Sequence, residues 1–394
     1  MFYNLLNFPL ENAVPNRIQD LNFILNEYRP DLFMVCELNN IDGANTILDI
    51  LQSINPNYQS ATFELNTSDD AISDQNDLQN LVYYDSSKFI LESQAIVTTI
   101  FRDFNHYRFK INSIAQSTNP VYLDVIVCHL KASSGTENQA YRLEMVNDLV
   151  GYLDTFSAES NVILAGDFNV YTNSEPAFQE LIDPTNTIVF TDPANRIGSW
   201  HNNINYVDVM TQSTRTQTGL GGTTGGFDDR FDFIMTSEYM TDNTELKYIS
   251  NSYKVFGNNS NPLCFNQAIN SEDCSGSEYS ATIRDALHNF SDHLPVTLLL
   301  ETNQTLSVKD YIYNNSISFI GSNIISNELQ LQINQLTIAF KQFYIYNNIG
   351  QLVNTIEINN NTTIKIDTSS LTNGMYYITS NNLYTKPLKF IIAH

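Results

Sequence analysis

Two segments of the chain carry apolar residues at helical spacing, NRIQDLNFILNEY (16–28) and QAYRLEMVNDLVGYLDTF (139–156). Around them lie short apolar runs bounded by polar residues, which is typical of buried strands. These runs are DLFMVC (31–36), NLVYY (80–84), VYLDVIVC (121–128), NVILA (161–165), FDFIM (231–235) and VTLLL (296–300). Strands beside helices favour an α/β sandwich, with the helices outside two packed sheets.

The pattern changes after about residue 305, where short runs alternate apolar and polar residues with a period of two. This alternation favours a small all-β sandwich. We therefore predict a first domain over residues 1–302, a linker over 303–308 and a second domain over 309–394. The runs are FYIYNNIGQLVNTIEI (343–358), TTIKID (362–367), GMYYITS (374–380) and PLKFII (387–392).

Hydrophobic residues make up 42% of the 394-residue chain, which is enough to bury a large core. The formal charge is −24 and lies in the first part of the chain: residues 1–305 hold 14 basic and 39 acidic residues, whereas residues 306–394 hold five lysines and four acids. This balance argues against nonspecific binding of nucleic acid through a basic surface. It does not exclude an enzyme that meets phosphates through bound cations.

No apolar run approaches the roughly 20 residues that span a bilayer, so we expect no transmembrane segment. The first residues, FYNLLNFPL after Met1, lack the basic start and the cleavage site of a signal peptide. They look like the middle of a strand. We therefore expect that a leader peptide is not present in this chain and lies upstream.

The four cysteines fall into two classes. Cys36 and Cys128 lie in apolar, strand-like runs, which predicts buried free thiols. Cys264 and Cys274 bracket a polar loop, and a metal site there would require closer pairs or nearby histidines. We therefore favour a disulfide over a metal site, which would indicate an oxidising compartment outside the cytoplasm.

Reactive side chains stand at the ends of the predicted strands. In chain order they are Asn4, Glu37, His129 with Lys131, Asp167 with Asn169, Arg230 with Asp232, and Asp292 with His293. Because strand ends of a sandwich can converge on one rim, we expect these side chains to form a single half-exposed site on a rigid core.

Each group also has a simpler interpretation when it is taken alone. Glu37 can be a strand-end or helix-capping carboxylate, and the segments GDFN and SDHLP can be turns. His129 can be a satisfied core histidine, and Arg230 with Asp232 can be an ordinary ion pair. Turn chemistry does not readily explain five separate strand ends that carry Glu, Asp, Asn and His, so we favour a catalytic site.

The order of these groups resembles the motif series of the endonuclease/exonuclease/phosphatase superfamily, which has the deoxyribonuclease I-like fold. The resemblance covers about residues 1–302, and it implies a four-layered α/β sandwich that hydrolyses phosphoester bonds with a metal ion. The motifs are YN (3–4), CE (36–37), CHLKAS (128–133), GDFN (166–169), DRFDFI (229–234) and SDHLPV (291–296).

The resemblance implies a role for each matching residue. Glu37, Asn4 and Asp292 would bind the metal. Asp167 and Asn169 would lie around the phosphate and the attacking water, and His293, oriented by Asp232, would act at the scissile phosphate. Asn169, Lys131 and Arg102 would bind the substrate, with Arg108 as the alternative to Arg102.

His129 would help the leaving oxygen in the same scheme. In deoxyribonuclease I-like proteins an acid pairs with this second histidine, and it should fall near residues 77–80. The chain has Asp77 and Asn80 there but no glutamate in register. The role of His129 as a proton donor is therefore less well supported than the other roles.

Carboxylate and amide oxygens are hard ligands, which suit Mg²⁺, Mn²⁺ or Ca²⁺ and not zinc. Mg²⁺ typically takes one or two carboxylates and keeps positions for substrate oxygens. We therefore predict a divalent cation, foremost Mg²⁺, at a site built from Glu37 and Asp292.

The end of the chain resembles the C-terminal sorting domain of the type IX secretion system of Bacteroidetes. The likeness lies in the segment LTNGMYYI (371–378) and in the terminal strand KPLKFII (386–392). It implies handling by the secretion machinery and a location outside the cell or at its surface. A carbohydrate-binding or adhesion module is the alternative.

Together these features predict a monomeric, secreted, metal-dependent phosphodiesterase, foremost a nuclease that acts on DNA, with RNA as a further substrate. One alternative is a phospholipase C or sphingomyelinase-like enzyme of the same superfamily. The long loops TGLGGTTGGFDDR (218–230) and NPLCFNQAINSEDCSGSEYS (261–280) are polar, so they offer little to insert into a membrane. The other alternative is a catalytically silent adhesion module.

Overall fold

The computed structural model describes residues 1–10, 14–67, 78–307, 317–333, 342–357, 362–380 and 387–394. The chain divides into two compact units, Met1–Ser307 and Val308–His394. None of the helices in the described ranges has the length and the apolar character that crossing a membrane requires.

The first unit contains two six-stranded sheets. Its strands are β1 (Phe2–Phe8), β2 (Leu32–Leu38), β3 (Tyr58–Ser60), β4 (Gln79–Asp85), β5 (Phe89–Val97), β6 (Phe104–Ile111), β7 (Tyr122–His129), β8 (Val162–Asp167), β9 (Phe190–Thr191), β10 (Asp232–Ser237), β11 (Leu246–Tyr248), β12 (Lys254–Val255), β13 (Val296–Thr297) and β14 (Leu300–Thr302). The strand order is β12-β13-β1-β2-β4-β3 in the first sheet and β5-β6-β7-β8-β10-β9 in the second. Strands β11 and β14 form a separate pair.

Five α-helices accompany these sheets in the described part of the first unit. They are α1 (Arg17–Tyr28), α2 (Ile41–Ile54), α3 (Thr136–Leu153), α4 (Pro176–Leu181) and α5 (Ala281–Phe290). Helices α1 and α3 form where the apolar spacing predicts them. Helix α2 begins at a capping residue, since the side chain of Asn40 accepts a hydrogen bond from the backbone N–H of Gly43 at 3.0 Å.

Burial along β8 reveals the layers. Ile163 and Ala165 belong to a core shared with the first sheet and helices α1, α2 and α5. Val162 and Leu164 belong to a second core, shared with α3 and α4. Because side chains alternate along a strand, β8 contributes to both cores. The first unit is therefore a four-layered α/β sandwich, which confirms the predicted fold class.

The predicted site residues meet at one rim because of strand register. Asn4 on β1 lies opposite Cys36 on the parallel strand β2, one residue before Glu37. Asp167 at the end of β8 lies opposite His129 on β7 and opposite Asp232 on β10. Five of the predicted polar strand ends are thus brought together by two sheets.

The run VTLLL is not one buried strand, so that prediction is wrong. Strand β13 contains only Val296 and Thr297, and Leu299 beyond it is 51% exposed. Leu300 begins β14, which pairs with β11 outside the large sheets. An apolar run is shared here between two short strands, which apolarity alone does not distinguish from a single strand.

The predicted linker packs against the first unit over its described residues. Ser307 N–H donates to Asn112 O at 2.7 Å, and Ile114 N–H donates to Thr305 O at 3.0 Å. Residue 308 lies outside the described residues, as do 309–316 of the predicted second domain.

The second unit is all β in its described residues. A three-stranded sheet, β15-β17-β20, and a five-stranded sheet, β16-β22-β21-β18-β19, enclose one apolar core. This arrangement confirms the predicted β-sandwich. The strands are β15 (Ile317–Phe319), β16 (Ile324–Ile325), β17 (Glu328–Ile333), β18 (Gln342–Asn347), β19 (Leu352–Glu357), β20 (Thr363–Asp367), β21 (Gly374–Ser380) and β22 (Leu388–Ile392).

The cysteines are arranged as the sequence predicts. Cys264 and Cys274 are joined by a disulfide, and Cys36 and Cys128 are buried free thiols. Burial raises the pKa of both free thiols well above its usual value, so neither is a reactive thiolate.

Candidate active site

Asn4 lies between two carboxylates. Its Nδ2 donates to Glu37 Oε1 at 2.9 Å and to Asp167 Oδ2 at 3.0 Å. Its Oδ1 accepts the backbone N–H of Leu6 at 3.0 Å. In this arrangement Asn4 orients the two carboxylates through its amide nitrogen, and its role as a metal ligand stays a prediction.

Glu37 is held by both of its oxygens. Oε1 accepts from Asn4, and Oε2 accepts the backbone N–H of Asn7 at 3.1 Å. Its φ of 53° is left-handed, a conformation that is costly for glutamate and that clusters at functional sites. Burial raises the pKa of Glu37, and the nearby Asp292 carboxylate raises it further, while His293 opposes both effects.

Asp167 lies at the centre of the group. Its Oδ1 accepts the backbone N–H of Asn169 at 3.0 Å, so the turn after β8 fixes this carboxylate. Burial raises the pKa of Asp167 to about 7, and the Asp232 and Glu37 carboxylates add to this effect, while His293 and Asn4 oppose it. A bound cation would counter the crowding of negative charge.

His293 and Asp232 form a buried imidazole–carboxylate pair, with 2.7 Å between Nδ1 and Oδ2. The other ring nitrogen, Nε2, lies 3.7 Å from Asp167 Oδ2 and 2.5 Å from Gln212 Nε2. Burial alone would lower the pKa of His293, but the Asp232, Asp292 and Asp167 carboxylates raise it well above its usual value. The pair therefore presents Nε2 to the cluster of carboxylates.

His129 faces the same carboxylates without a carboxylate partner of its own. Its Nε2 lies 3.7 Å from Asp167 Oδ2 and 3.9 Å from Glu37 Oε1. Its Nδ1 is buried and has no hydrogen-bond partner among the described residues. Burial lowers the pKa of His129 well below its usual value, and Arg102 contributes to the same effect.

Of the two residues near the expected position of the partner of His129, only Asn80 lies within the described structure. Asn80 donates to Asp103 O and to Asn105 Oδ1, both at 3.0 Å. Asp77 lies outside the described residues.

Loop residues fix the position of the Asp292 carboxylate. Its Oδ2 accepts from the backbone N–H of Thr223 at 2.7 Å and from Gln212 Nε2 at 3.3 Å. A Cβ at Gly222, where φ is 64°, would lie 2.5 Å from this carboxylate. Only glycine therefore allows the loop to approach Asp292 so closely, and the role of Asp292 as a metal ligand stays a prediction.

The two predicted phosphate-binding cations differ in their surroundings. Arg102 is 8% exposed, and its Nη1 donates to the carbonyl oxygens of His129 at 3.3 Å and Leu130 at 3.2 Å. Lys131 is half-buried, with Nζ 5.5 Å from the ring centre of Phe101. In this structure Arg102 supports the end of β7, and the substrate roles of both residues stay predictions.

A buried ion pair fixes the loops beside the site. Arg142 Nη2 lies 2.7 Å from Glu175 Oε2, and Arg142 Nη1 donates to the carbonyl oxygens of Lys131 at 2.8 Å and Ser133 at 2.9 Å. Glu175 Oε1 accepts the backbone N–H of Tyr171 at 2.9 Å. The pair therefore joins α3 to the loops after β7 and β8.

The donors present fit a hard divalent cation. Ligand atoms of Glu37, His129 and Asp167 lie within 4.8 Å of one another, and so do those of Asp167, Asp232 and His293. The shared member, Asp167, is a buried carboxylate, and oxygen donors of this kind suit Mg²⁺, Mn²⁺ or Ca²⁺. Glu37 and Asp167 are the carboxylates best placed to hold such an ion.

Six of the predicted site residues line one cavity of about 740 Å³. Its lining includes the predicted residues Glu37, His129, Asp167, Asn169, Asp292 and His293. The remaining lining is mixed. Its polar members are Ser133, Ser134, Gln139, Tyr171, His201, Gln212, Thr223 and Asp229, and its apolar members include Leu6, Ala132 and Phe231. The cavity therefore suits a polar ligand that bears an anionic group.

Gln212 and the pair His201–Asp229 also line the cavity, but the sequence did not predict them as site residues. Gln212 lies in the segment TQSTRT (211–216), which has no periodic pattern. His201 lies in a polar loop, and its Nδ1 is 2.7 Å from Asp229 Oδ1. The one available signal was Asp229, which lies in the motif DRFDFI.

Comparison with solved structures finds similar chains at low sequence identity. An endonuclease/exonuclease/phosphatase from Bacteroides vulgatus has 14% identity and a TM-score of 0.47, over 77% of this chain and 97% of that chain. The mannosyl-6-phosphatase of Bacteroides thetaiotaomicron has 15% identity and a TM-score of 0.45, over 76% and 98%. TDP2 of D. rerio, complexed with a single-strand DNA product, has 15% identity and a TM-score of 0.46, over 76% and 97%.

These identities are too low to indicate more than the fold. Residues 322–393 match the family described as "Secretion system C-terminal sorting domain", which confirms the predicted resemblance of the second unit. No curated protein sequence matches the chain.

Proposed function

We propose that the first unit is a metal-dependent hydrolase of phosphoric esters that cleaves phosphodiester bonds in nucleic acid. The observation that carries the proposal is the convergence of Glu37 and Asp167 with the His293–Asp232 pair at one rim. The motif series that resembles the endonuclease/exonuclease/phosphatase superfamily supports the same reaction.

A divalent cation held by Glu37 and Asp167 would neutralise charge on the phosphate and orient its oxygens. Asn4 keeps the two carboxylates together by donating to both. His293, whose Nδ1 faces Asp232, has Nε2 directed towards Asp167. A bound cation would offset the carboxylates that raise the pKa of His293, and the neutral imidazole would then take a proton from the attacking water. Asn169, next to Asp167 in the cavity, would contact the phosphate.

Polar lining favours nucleic acid over lipid as the substrate. The exposed residues of the lining include Ser133, Ser134 and Thr223. A lipid-directed enzyme needs an apolar or aromatic surface that enters the membrane. The test below distinguishes this proposal from its two alternatives, a sphingomyelinase-like enzyme and an adhesion module.

The test offers four substrates in parallel to the purified chain, with Mg²⁺, Mn²⁺ or Ca²⁺ and with excess chelator. They are plasmid DNA, RNA, sphingomyelin and a small phosphomonoester. We expect cation-dependent cleavage of DNA, with RNA as a second substrate. Hydrolysis of sphingomyelin without nicking of DNA would overturn the choice of substrate, and hydrolysis of none of the four would favour the adhesion module.

We propose further that the second unit directs export through the type IX machinery, which makes the protein extracellular or surface-bound. The match of residues 322–393 to the sorting-domain family supports this role. The test compares the full chain with a chain that ends at Ser307, both produced behind the same leader in a cell with that machinery. The shorter chain should hydrolyse substrate normally but stay inside the cell, and its appearance outside would contradict the proposal.

A further inference from the structure

A second imidazole–carboxylate pair lines the same cavity as His293. His201 Nδ1 lies 2.7 Å from Asp229 Oδ1, and the His201 side chain is 50% exposed. Its ring packs edge-on against Tyr171, with 5.0 Å between ring centroids. No hydrogen-bond partner occupies His201 Nε2 among the described residues, so this nitrogen is available to a ligand.

Backbone hydrogen bonds hold this pair beside both halves of the site. His201 N–H donates to the carbonyl oxygen of Tyr171 at 3.2 Å, two residues after Asn169. Asp229 N–H donates to Gln212 O at 2.8 Å, and the side chain of Gln212 reaches His293. The position of His201 is therefore coupled to both the turn after β8 and the residue that contacts His293.

His129, in contrast, has no carboxylate at Nδ1 to orient it among residues 1–10, 14–67 and 78–307. Its Nε2 faces Glu37 and Asp167, and its buried Nδ1 meets no acceptor in the described residues. A general acid is effective when a second group fixes its tautomer and its direction. Among the described histidines that line the cavity, only His293 and His201 have such a carboxylate, and His293 is placed for the attacking water.

We propose that His201, oriented by Asp229, donates the proton to the leaving oxygen in the hydrolysis proposed above, on which this inference rests. Water adds to phosphorus and the bond from phosphorus to the leaving oxygen breaks. The electron pair of that bond goes to the leaving oxygen, which takes the proton from His201 Nε2. The attacking water loses one proton to His293, and solvent reprotonates the half-exposed His201.

Two carboxylates and a tyrosine ring surround His201. Asp228 and Asp229 both place a ligand atom within 4.8 Å of a His201 nitrogen, and Tyr171 is the other titratable group that packs against the ring. In the proposed step the leaving group would lie against Tyr171 and His201, which line the same cavity as Asp167 and His293.

The test uses DNA oligonucleotides that differ at a single bridging atom. One has the natural oxygen, and two others carry sulfur in place of the 3′ or the 5′ bridging oxygen of one bond, because a thiolate leaves without needing a proton. His201→Gln should cleave the natural bond at least about 10²-fold more slowly than the wild type. It should cleave the bond with a leaving sulfur within about fivefold of the wild type.

Asp229→Asn should show the same selective loss on the natural bond. The control is His394→Gln, because His394 is an exposed residue of the second unit. This variant should match the wild type on all three substrates. Equal loss on oxygen and sulfur bonds in His201→Gln, or no loss on either, would reject the role of His201 and leave the proposed function intact. A wild-type chain that cleaves none of the oligonucleotides would reject the proposed function, and the role of His201 with it.

Discussion

Asp232 Oδ2 lies 2.7 Å from His293 Nδ1, and both side chains are almost fully buried. Asp232 begins β10 in the second sheet, whereas His293 lies three residues before β13 of the first. The contact therefore joins the two sheets at the rim. A carboxylate at Nδ1 keeps the proton there and leaves Nε2 for the reacting groups.

Asp232→Asn should lower kcat by about 10²–10⁴-fold, because an amide no longer selects the tautomer with its proton on Nδ1. The shape of the side chain is preserved, so thermal unfolding should change little. Asp31→Asn, which alters an exposed ion pair with Lys88, is the matched control and should keep wild-type kinetics. A kcat for Asp232→Asn within about threefold of the wild type would contradict this role for the pair.

Arg142→Met should destabilise the first unit by about 3–5 kcal/mol, because it leaves the buried Glu175 carboxylate without its partner. Urea unfolding can be followed by the fluorescence of Trp200, the only tryptophan in the chain, which reports on this unit. The control Lys247→Met breaks an exposed pair with Glu301 and should cost less than about 1 kcal/mol. Equal losses in the free energy of unfolding in the two variants would contradict a special contribution of the buried Arg142–Glu175 pair to stability.

Binding of the cation should strengthen as pH rises towards 7. The pKa of Asp167 is raised from 3.8 to about 7 by burial, then by its carboxylate neighbours. Between pH 3.8 and about 7 the Asp167 carboxyl of the folded, metal-free chain holds a proton that the unfolded chain has released. Raising the pH through this range therefore lowers the free energy of unfolding of the metal-free chain. A cation needs the ionised carboxylate and displaces the same proton.

The measurement is the rise in Tm on adding excess Mg²⁺ at about pH 5.5 and at about pH 8. We expect a clearly larger rise at the higher pH. In Asp167→Asn the rise should be small at both pH values, because the titrating ligand is gone. An equal rise at both pH values in the wild type would contradict proton displacement at Asp167.

The Cys264–Cys274 bridge should be present in the secreted protein and should stabilise the first unit. It closes a loop with a sequence separation of 10, which corresponds to about 2–3 kcal/mol in the loop-entropy description. Peptide mapping without reduction should recover the two cysteines on joined peptides, and the double variant Cys264→Ser/Cys274→Ser should unfold at lower urea. Two freely alkylated thiols would refute the prediction.

The sequence predicted the rim better than it predicted the loops. Glu37, His129 and Asp167 could be placed because each follows a recognisable buried strand, and strand register brings such ends together. Gln212 and His201 lie in loops without periodicity, and their partners are decided by tertiary packing alone. No local pattern of the sequence records such contacts.

Two further features depend on tertiary packing. The guanidinium of Arg102 donates to the carbonyl oxygens at the end of β7, a contact that only the folded sheet creates, and its role at the phosphate stays a prediction. The run VTLLL divides between two short strands because the chain leaves the first sheet after Thr297. Apolarity indicated that the segment packs, not which partner it packs against.

The most direct test of the catalytic rim is the rate of plasmid DNA cleavage, measured with Mg²⁺ and with excess chelator. The variants are Glu37→Gln, Asp167→Asn and His293→Gln, with Asp31→Asn as control. We expect that excess chelator stops cleavage by the wild type and that each rim variant loses at least about 10²-fold in rate. Each rim variant should still unfold cooperatively, as followed by Trp200 fluorescence. Asp31→Asn should cleave DNA at the wild-type rate. Cleavage that persists in chelator, or near-wild-type rates in all three rim variants, would contradict the assignment of this site.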